Sequence, residues 1–159
     1  GGWLGVEGAE LERLMEERIE RYRRAADGST VTEETRAAVR HAAARVPVAL
    51  VSGAYRREIE PVLAQAGIEA CFRVVVTADD VRHGKPHPEG YARAVAALGL
   101  EPEVGAVVAL EDTEAGIASA KAAGLRCIAV RGTLPDERLA SADAVVDRID
   151  VPLIQGLVG

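Results

Sequence analysis

A chain of 159 residues, 48% of them apolar and 28% charged, is the size of one ordinary domain with enough apolar mass to bury a core, so a mainly disordered chain is excluded. Lys and Arg number 19 against 25 Asp and Glu, a formal charge of −6 with no separate basic stripe, so nucleic acid and anionic membrane surfaces are not expected partners. No apolar run approaches the roughly 20 residues of a membrane span, the opening Gly1-Gly2-Trp3-Leu4-Gly5 lacks the shape of a signal peptide, and Cys71 and Cys127 read as buried reduced thiols, so a cytoplasmic protein is expected.

From Glu7 to about Arg24, the apolar positions Leu11, Leu14, Met15, Ile19 and Tyr22 recur at three and four, which predicts an amphipathic helix that stops at Asp27-Gly28. Thr30 and Thr32 offer N-caps, with Glu33 completing a capping box on Thr30, for a second helix running to about Arg45 and ended by Pro47. Val48 to Val51 is a short, continuously apolar run of the kind found in strands buried on both faces. A helix from about Tyr55 to Gln65, closed by Gly67, leads to a strand at Val74–Val76. A helix from Pro88 to Leu98 stops at Gly99, and Ala106–Leu110 is the next strand. Thr113–Ala123 is a helix closed by Gly124, Arg126–Val130 a strand, and Ala144–Val146 a last short strand. Strands alternating with helices, with few aromatics, predict an α/β fold on a parallel sheet.

Ligands of open parallel sheets bind beyond the carboxyl ends of the strands, so the informative residues are those that follow each apolar run. They are Ser52-Gly53, Thr77-Ala78-Asp79-Asp80 with Gly84-Lys85-Pro86 after it, Glu111-Asp112-Thr113, and Arg131-Gly132. A hydroxyl, free amides at a helix start and a lysine can hold phosphoryl oxygens, and paired carboxylates can hold a hard cation such as Mg²⁺. Taken singly, Ser52-Gly53 and Glu111-Asp112 are also what helix caps look like, and Lys85 what a solvated loop lysine looks like. Their shared place at one sheet edge points to phosphoryl transfer.

These residues resemble the haloacid dehalogenase-like hydrolases, and within them the β-phosphoglucomutase-like phosphatases with a helical cap. Val48-Ala49-Leu50-Val51-Ser52-Gly53 is similar to the second motif of that family, the stretch from Val81 to Tyr91 around Lys85 to the third, and Leu110 to Ile117 around Glu111-Asp112 to the fourth. The resemblance implies a Rossmann-like parallel sheet flanked by helices, with residues 1–29 the C-terminal part of a helical cap, Asp27 to Thr30 the hinge, and 30–159 the α/β core. It implies Ser52, Gly53 and Lys85 as phosphate ligands, Ser52 and Lys85 in catalysis, and Glu111 with Asp112 holding Mg²⁺. The implied activity is hydrolysis of a small phosphorylated metabolite such as a sugar phosphate, with a phosphomutase, or a non-catalytic protein that binds phosphate and metal, as alternatives.

The family's first motif, a strand followed by two aspartates one residue apart, is absent from the chain: residues 1 to 30 offer only Asp27. Because that strand is central in the family, the core is expected to lack its first strand and to have a gap between the strand ending at Ser52 and the one ending at Leu110. The attacking aspartate is expected upstream of Gly1, and the chain alone is expected to be inactive without it. Arg56, in the first turn after Ser52-Gly53, and His87 are candidates for the substrate entrance. His83 and His87 flank Lys85 beside prolines, and with no third ligand in view they read as loop residues rather than a zinc pair.

Overall fold

The computed structural model describes residues 31–132 and 134–158. The helix expected from Glu7 to Arg24, Trp3, the cap and the hinge lie outside these residues. Helix α1 (Glu33–Ala43) begins at Thr32, whose hydroxyl accepts the Thr35 N–H at 3.1 Å. Glu33 and Glu34 in its first turn and Arg40 and His41 in its last complement the helix dipole. The cap is therefore Thr32; Thr30, expected to form the capping box, lies outside the described residues.

The strands and helices then alternate as β1 (Ala49–Val51), α2 (Arg56–Ala66), β2 (Val74–Val76), α3 (Glu89–Leu98), β3 (Val108–Glu111), α4 (Glu114–Ala122), β4 (Arg126–Val130), β5 (Ala144–Val146) and α5 (Val151–Val158). Gly67 and Gly99 close α2 and α3 in the left-handed conformation (φ +71° and +72°), where a side chain would be strained. Helix α5 has no counterpart in the sequence reading. Its first turn holds Pro152, its middle Gly156, and Asp150 caps it by accepting the Leu153 N–H at 2.9 Å.

All strand pairings among the described residues are parallel, in two separate groups: β1 with β2, with Ala49 opposite Val74, and β3-β4-β5, with Val108 opposite Arg126 and Ile128 opposite Ala144. The break falls between β1 and β3, the position of the expected gap. Alternate residues of each strand feed opposite faces, as a parallel sheet between helices requires. Leu50 packs with Ile59, Leu63 and Ile68 under α1 and α2, whereas Val51 packs with Tyr91, Val95 and Ile117 under α3 and α4. On the first face, α1 and α5 close over Val130 through Ala38, Ala42 and Ile154. Leu50, Ile68 and Ile117 have no exposed surface, each representing about 2–3 kcal/mol of transfer free energy. Helix α3 joins the two strand groups, because Tyr91, Ala94 and Val95 share one core with Val51, Val76 and Ala109.

Between β1 and β3 lies a cavity of about 400 Å³, walled by Val48, Ala49 and Val51 on one side and by Val107, Val108 and Leu110 on the other. No helix among the described residues is long and apolar enough to cross a membrane. Cys71 and Cys127 are both free thiols; Cys127 is fully buried, and burial pushes its thiol up to about 12, which keeps it protonated and inert.

Candidate active site

The carboxyl ends of β1 and β3 present the site. Ser52 continues the ladder beyond β1 by donating its N–H to Val76 O at 2.9 Å, which fixes the residue in place. Its side-chain oxygen accepts the Ala54 N–H at 3.1 Å, so its own O–H is left to donate. Gly53 follows at the turn, and no backbone acceptor for its N–H is found among the described residues. A hydroxyl and an amide side by side suit two oxygens of one anion.

Lys85 reaches this point from the loop between β2 and α3. Its ammonium donates to Val51 O at 3.2 Å, one residue before Ser52, and to Glu111 Oε2 at 2.6 Å. The side chains of the pair are 5% and 0% exposed, so Lys85 is not a solvated loop lysine. The loop is pinned on both sides of it: the Glu89 carboxylate accepts the N–H groups of Arg82 and His83, and Ser119 on α4 donates its hydroxyl to His87 O at 2.7 Å.

Glu111 closes β3, and the Tyr91 hydroxyl from α3 donates to the same oxygen that Lys85 holds. Burial pushes the Glu111 carboxyl up to about 7 even though the adjacent Lys85 pulls it down. Burial, and then the charge of Glu111, push the Tyr91 phenol well above its ordinary range. The other oxygen, Glu111 Oε1, is buried and makes no hydrogen bond among the described residues. It lies over Gly116, where a Cβ would come within 1.8 Å of it, so this carboxylate fits only because α4 begins with a glycine there. Thr113 caps α4 by accepting the Gly116 N–H at 3.0 Å. Neither Glu111 nor Asp112 is therefore the cap.

Two adjacent buried carboxylates, Glu111 with an oxygen that bonds to nothing else described and Asp112 at 3% exposure, form an all-oxygen donor set of the kind a hard divalent cation takes. The donor chemistry fits Mg²⁺. Glu111 Oε2 is engaged by Lys85 and Tyr91.

The structure thus brings Lys85 and Glu111 into contact, with Lys85 against the residue before Ser52. It does not bring Arg56 to them. The Arg56 guanidinium donates to Val75 O at 2.9 Å and Asp80 Oδ2 at 2.7 Å, and its N–H donates to Asp79 Oδ1 at 2.8 Å. Its cation clamps the start of α2 to the end of β2. Asp79 and Asp80 are consumed in the same cluster with Thr77. His87 stays on the exposed side of the Lys85 loop, its ring stacked on that of His83 at 4.6 Å. Tyr91 carried no role in the sequence reading, whereas Gly116 belongs to the fourth motif, whose helix is expected to pack through a glycine. The only sign of Tyr91 was an aromatic hydroxyl in an otherwise Ala- and Val-rich helix.

A family model described as hydrolase, haloacid dehalogenase-like hydrolase, matches residues 3–124. The chain belongs to the haloacid dehalogenase-like hydrolases. It is 41% identical over 102 residues to the validoxylamine A 7'-phosphate phosphatase of Streptomyces hygroscopicus subsp. limoneus, covering 64% of this chain and 47% of that one. It is 36% identical over 87 residues to the fructose-1-phosphate phosphatase of Escherichia coli, covering 55% and 45%. The fold superposes on the crystal structure of β-phosphoglucomutase from Clostridium difficile with a TM-score of 0.63 at 24% identity, over 96% of this chain and 68% of that one. The chain is also similar to the structure of a β-phosphoglucomutase from Thermotoga maritima, 28% identical with a TM-score of 0.74 over 96% of this chain and 73% of that one, in keeping with the subgroup expected from the three motifs. The chain spans just under half the length of these two phosphatases.

Proposed function

We propose that the protein is a Mg²⁺-dependent phosphatase acting on a small phosphorylated metabolite such as a sugar phosphate, through an aspartyl-phosphate whose aspartate lies upstream of Gly1. The observation that carries this reading is the buried Lys85–Glu111 pair, held at 2.6 Å beside the Ser52-Gly53 turn. A buried lysine that survives as a cation needs an anion close by, and a second anion placed between it and Ser52 gains the same stabilisation. In this reading the Ser52 hydroxyl and the Gly53 N–H donate to two phosphoryl oxygens. Lys85 offsets the charge that builds on the phosphoryl group, and the Lys85–Glu111 bond sets the ammonium's position before substrate arrives. Asp112, with Glu111, holds the cation, which when bound neutralises phosphate charge as a Lewis acid. Phosphatase activity in the two curated relatives supports the substrate class.

The attacking carboxylate enters, in this proposal, on a strand seated between β1 and β3. Those strands pair with nothing on their facing edges among the described residues, and the walls between them are apolar. A parallel strand there would complete one five-plus-one sheet and bring its carboxyl end beside Ser52 and Glu111.

The test uses the protein expressed from its natural start. Hydrolysis of a panel of sugar phosphates is measured with Mg²⁺ and with a chelator, in the wild type and in Lys85→Ala and Asp112→Asn. The expected result is chelator-sensitive turnover, a loss on the order of a hundredfold or more in Lys85→Ala, and loss of nearly all turnover in Asp112→Asn. Near-normal turnover in either variant overturns the assignment. Phosphate binding without turnover in the wild type would replace the enzyme with a phosphate-binding protein.

A further inference from the structure

Outside the active site, one cluster of side chains has a donor set that the phosphatase chemistry does not use. His83, His87 and Glu89 each place one ligand atom within 4.8 Å of the others, on the exposed side of the Lys85 loop. Glu89 is the third ligand that the sequence did not reveal. It lies two residues past His87, on the first turn of α3, and only the fold of the loop turns it back towards His83.

We propose that His83, His87 and Glu89 form a binding site for a borderline divalent transition-metal ion of the Zn²⁺ class, distinct from the Glu111–Asp112 carboxylates. Spacing, the state of the donors and their orientation all favour it. The first is spacing. Zn–N and Zn–O bonds of about 2.0–2.2 Å place neighbouring ligands of a tetrahedral ion about 3.3–3.5 Å apart, and His83 Nδ1 lies 3.4 Å from Glu89 Oε1. The second is the state of the donors. His87 Nδ1 accepts the Glu89 N–H at 3.1 Å and its ring is stacked on that of His83, so the ring would turn about its side-chain torsions to exchange the amide for the ion.

The third is orientation. Arg93 Nε donates to Glu89 Oε2 at 3.0 Å, and the Arg82 and His83 amides donate to the carboxylate from the other side. A carboxylate fixed by outer hydrogen bonds is the arrangement that ligating carboxylates show. Two imidazoles and one carboxylate select Zn²⁺, Ni²⁺ or Cu²⁺ over Mg²⁺, which prefers oxygen throughout. A fourth position is left open to solvent, because His83 is 64% exposed. The ion would fasten residues 83, 87 and 89 to one another across Lys85, so occupancy of the outer site stiffens the loop that carries the inner lysine.

The test is a Zn²⁺ titration by calorimetry, with tag-free protein in millimolar Mg²⁺, repeated with Co²⁺ and read by its visible absorption. The wild type is expected to bind one ion in the micromolar range and to give the intense bands of four-coordinate Co²⁺. His83→Ala and His87→Ala are each expected to weaken binding tenfold or more, and Asp112→Asn to leave it unchanged. His83→Ala removes only an exposed ring, so it keeps the test valid if His87→Ala perturbs the loop. Absence of micromolar binding in the wild type overturns the proposal. So does binding that survives both histidine variants, or binding that is lost in Asp112→Asn.

Discussion

Replacing Gly116 by alanine isolates the packing on which the buried ion pair depends. The added Cβ would sit 1.8 Å from Glu111 Oε1 and 2.2 Å from its carboxyl carbon, far inside contact distance. The carboxylate cannot swing away without leaving Lys85 and Tyr91, because both hold its other oxygen. Alanine in a helix gains about 1 kcal/mol over glycine in propensity. Separating a buried pair costs about 3–5 kcal/mol, so the variant is expected to be less stable by about 2–4 kcal/mol. With a urea slope of about 2 kcal/mol/M, the midpoint falls by about 1–2 M. The control is Gly156→Ala in α5, where a Cβ meets nothing within 4 Å; only the propensity gain remains, and the midpoint is expected to rise by a few tenths of a molar unit. Equilibrium urea unfolding of the two variants beside the wild type decides the matter. A Gly116→Ala midpoint at or above that of the wild type would show that Glu111 is not held as described.

Tyr91→Phe keeps the ring and removes one donor from Glu111. A loss of about 1–3 kcal/mol is expected in the same unfolding measurement, and an unchanged midpoint would remove the hydroxyl from the network. Asp143 accepts from Lys121 at 2.7 Å and from the Cys127 N–H at 2.8 Å, joining α4, β4 and the entry to β5. The Lys121 bond and then the Cys127 bond hold its carboxyl below the ordinary 3.8. The unfolded chain therefore binds the proton first, and the stabilisation is present above that value and fades as the pH falls below it. Asp143→Asn should be less stable than the wild type at pH 7, with the difference closing on acidification through that range; a difference that persists in acid would assign the loss to packing instead.

How far the sequence carried the interpretation depended on the range of each interaction. Val74–Val76, Arg126–Val130 and Ala144–Val146 match the observed strands because a continuous apolar run needs only its own residues to be recognised. The other expected strands and helices that fall within the described residues are displaced by one or two residues at their ends. Topology then placed Ser52, Lys85 and Glu111 at one sheet edge without any knowledge of contacts. The partners were not legible. Lys85 meets Val51 and Glu111 across 34 and 26 positions, and Arg56 meets Asp80 across 24. Nothing in the local pattern distinguishes an arginine that faces a ligand from one that clamps a loop. Helix α5 escaped for the opposite reason: it is only eight residues long and contains Pro152 and Gly156, so its own sequence argues weakly for a helix, and packing against α1 decides it.

The two half-sheets have a consequence for handling the protein. Strands β1 and β3 each present a backbone edge that pairs with nothing described, set in apolar walls, and such an edge is a template for a strand from any neighbouring chain. An edge of that kind left uncovered would pair with copies of the chain at high concentration, and a net charge of −6 would be a weak brake on the process in salt. A peptide or protein segment that seats in the opening would act first as a solubiliser, so a fall in light scattering on mixing offers a simple screen for what belongs there.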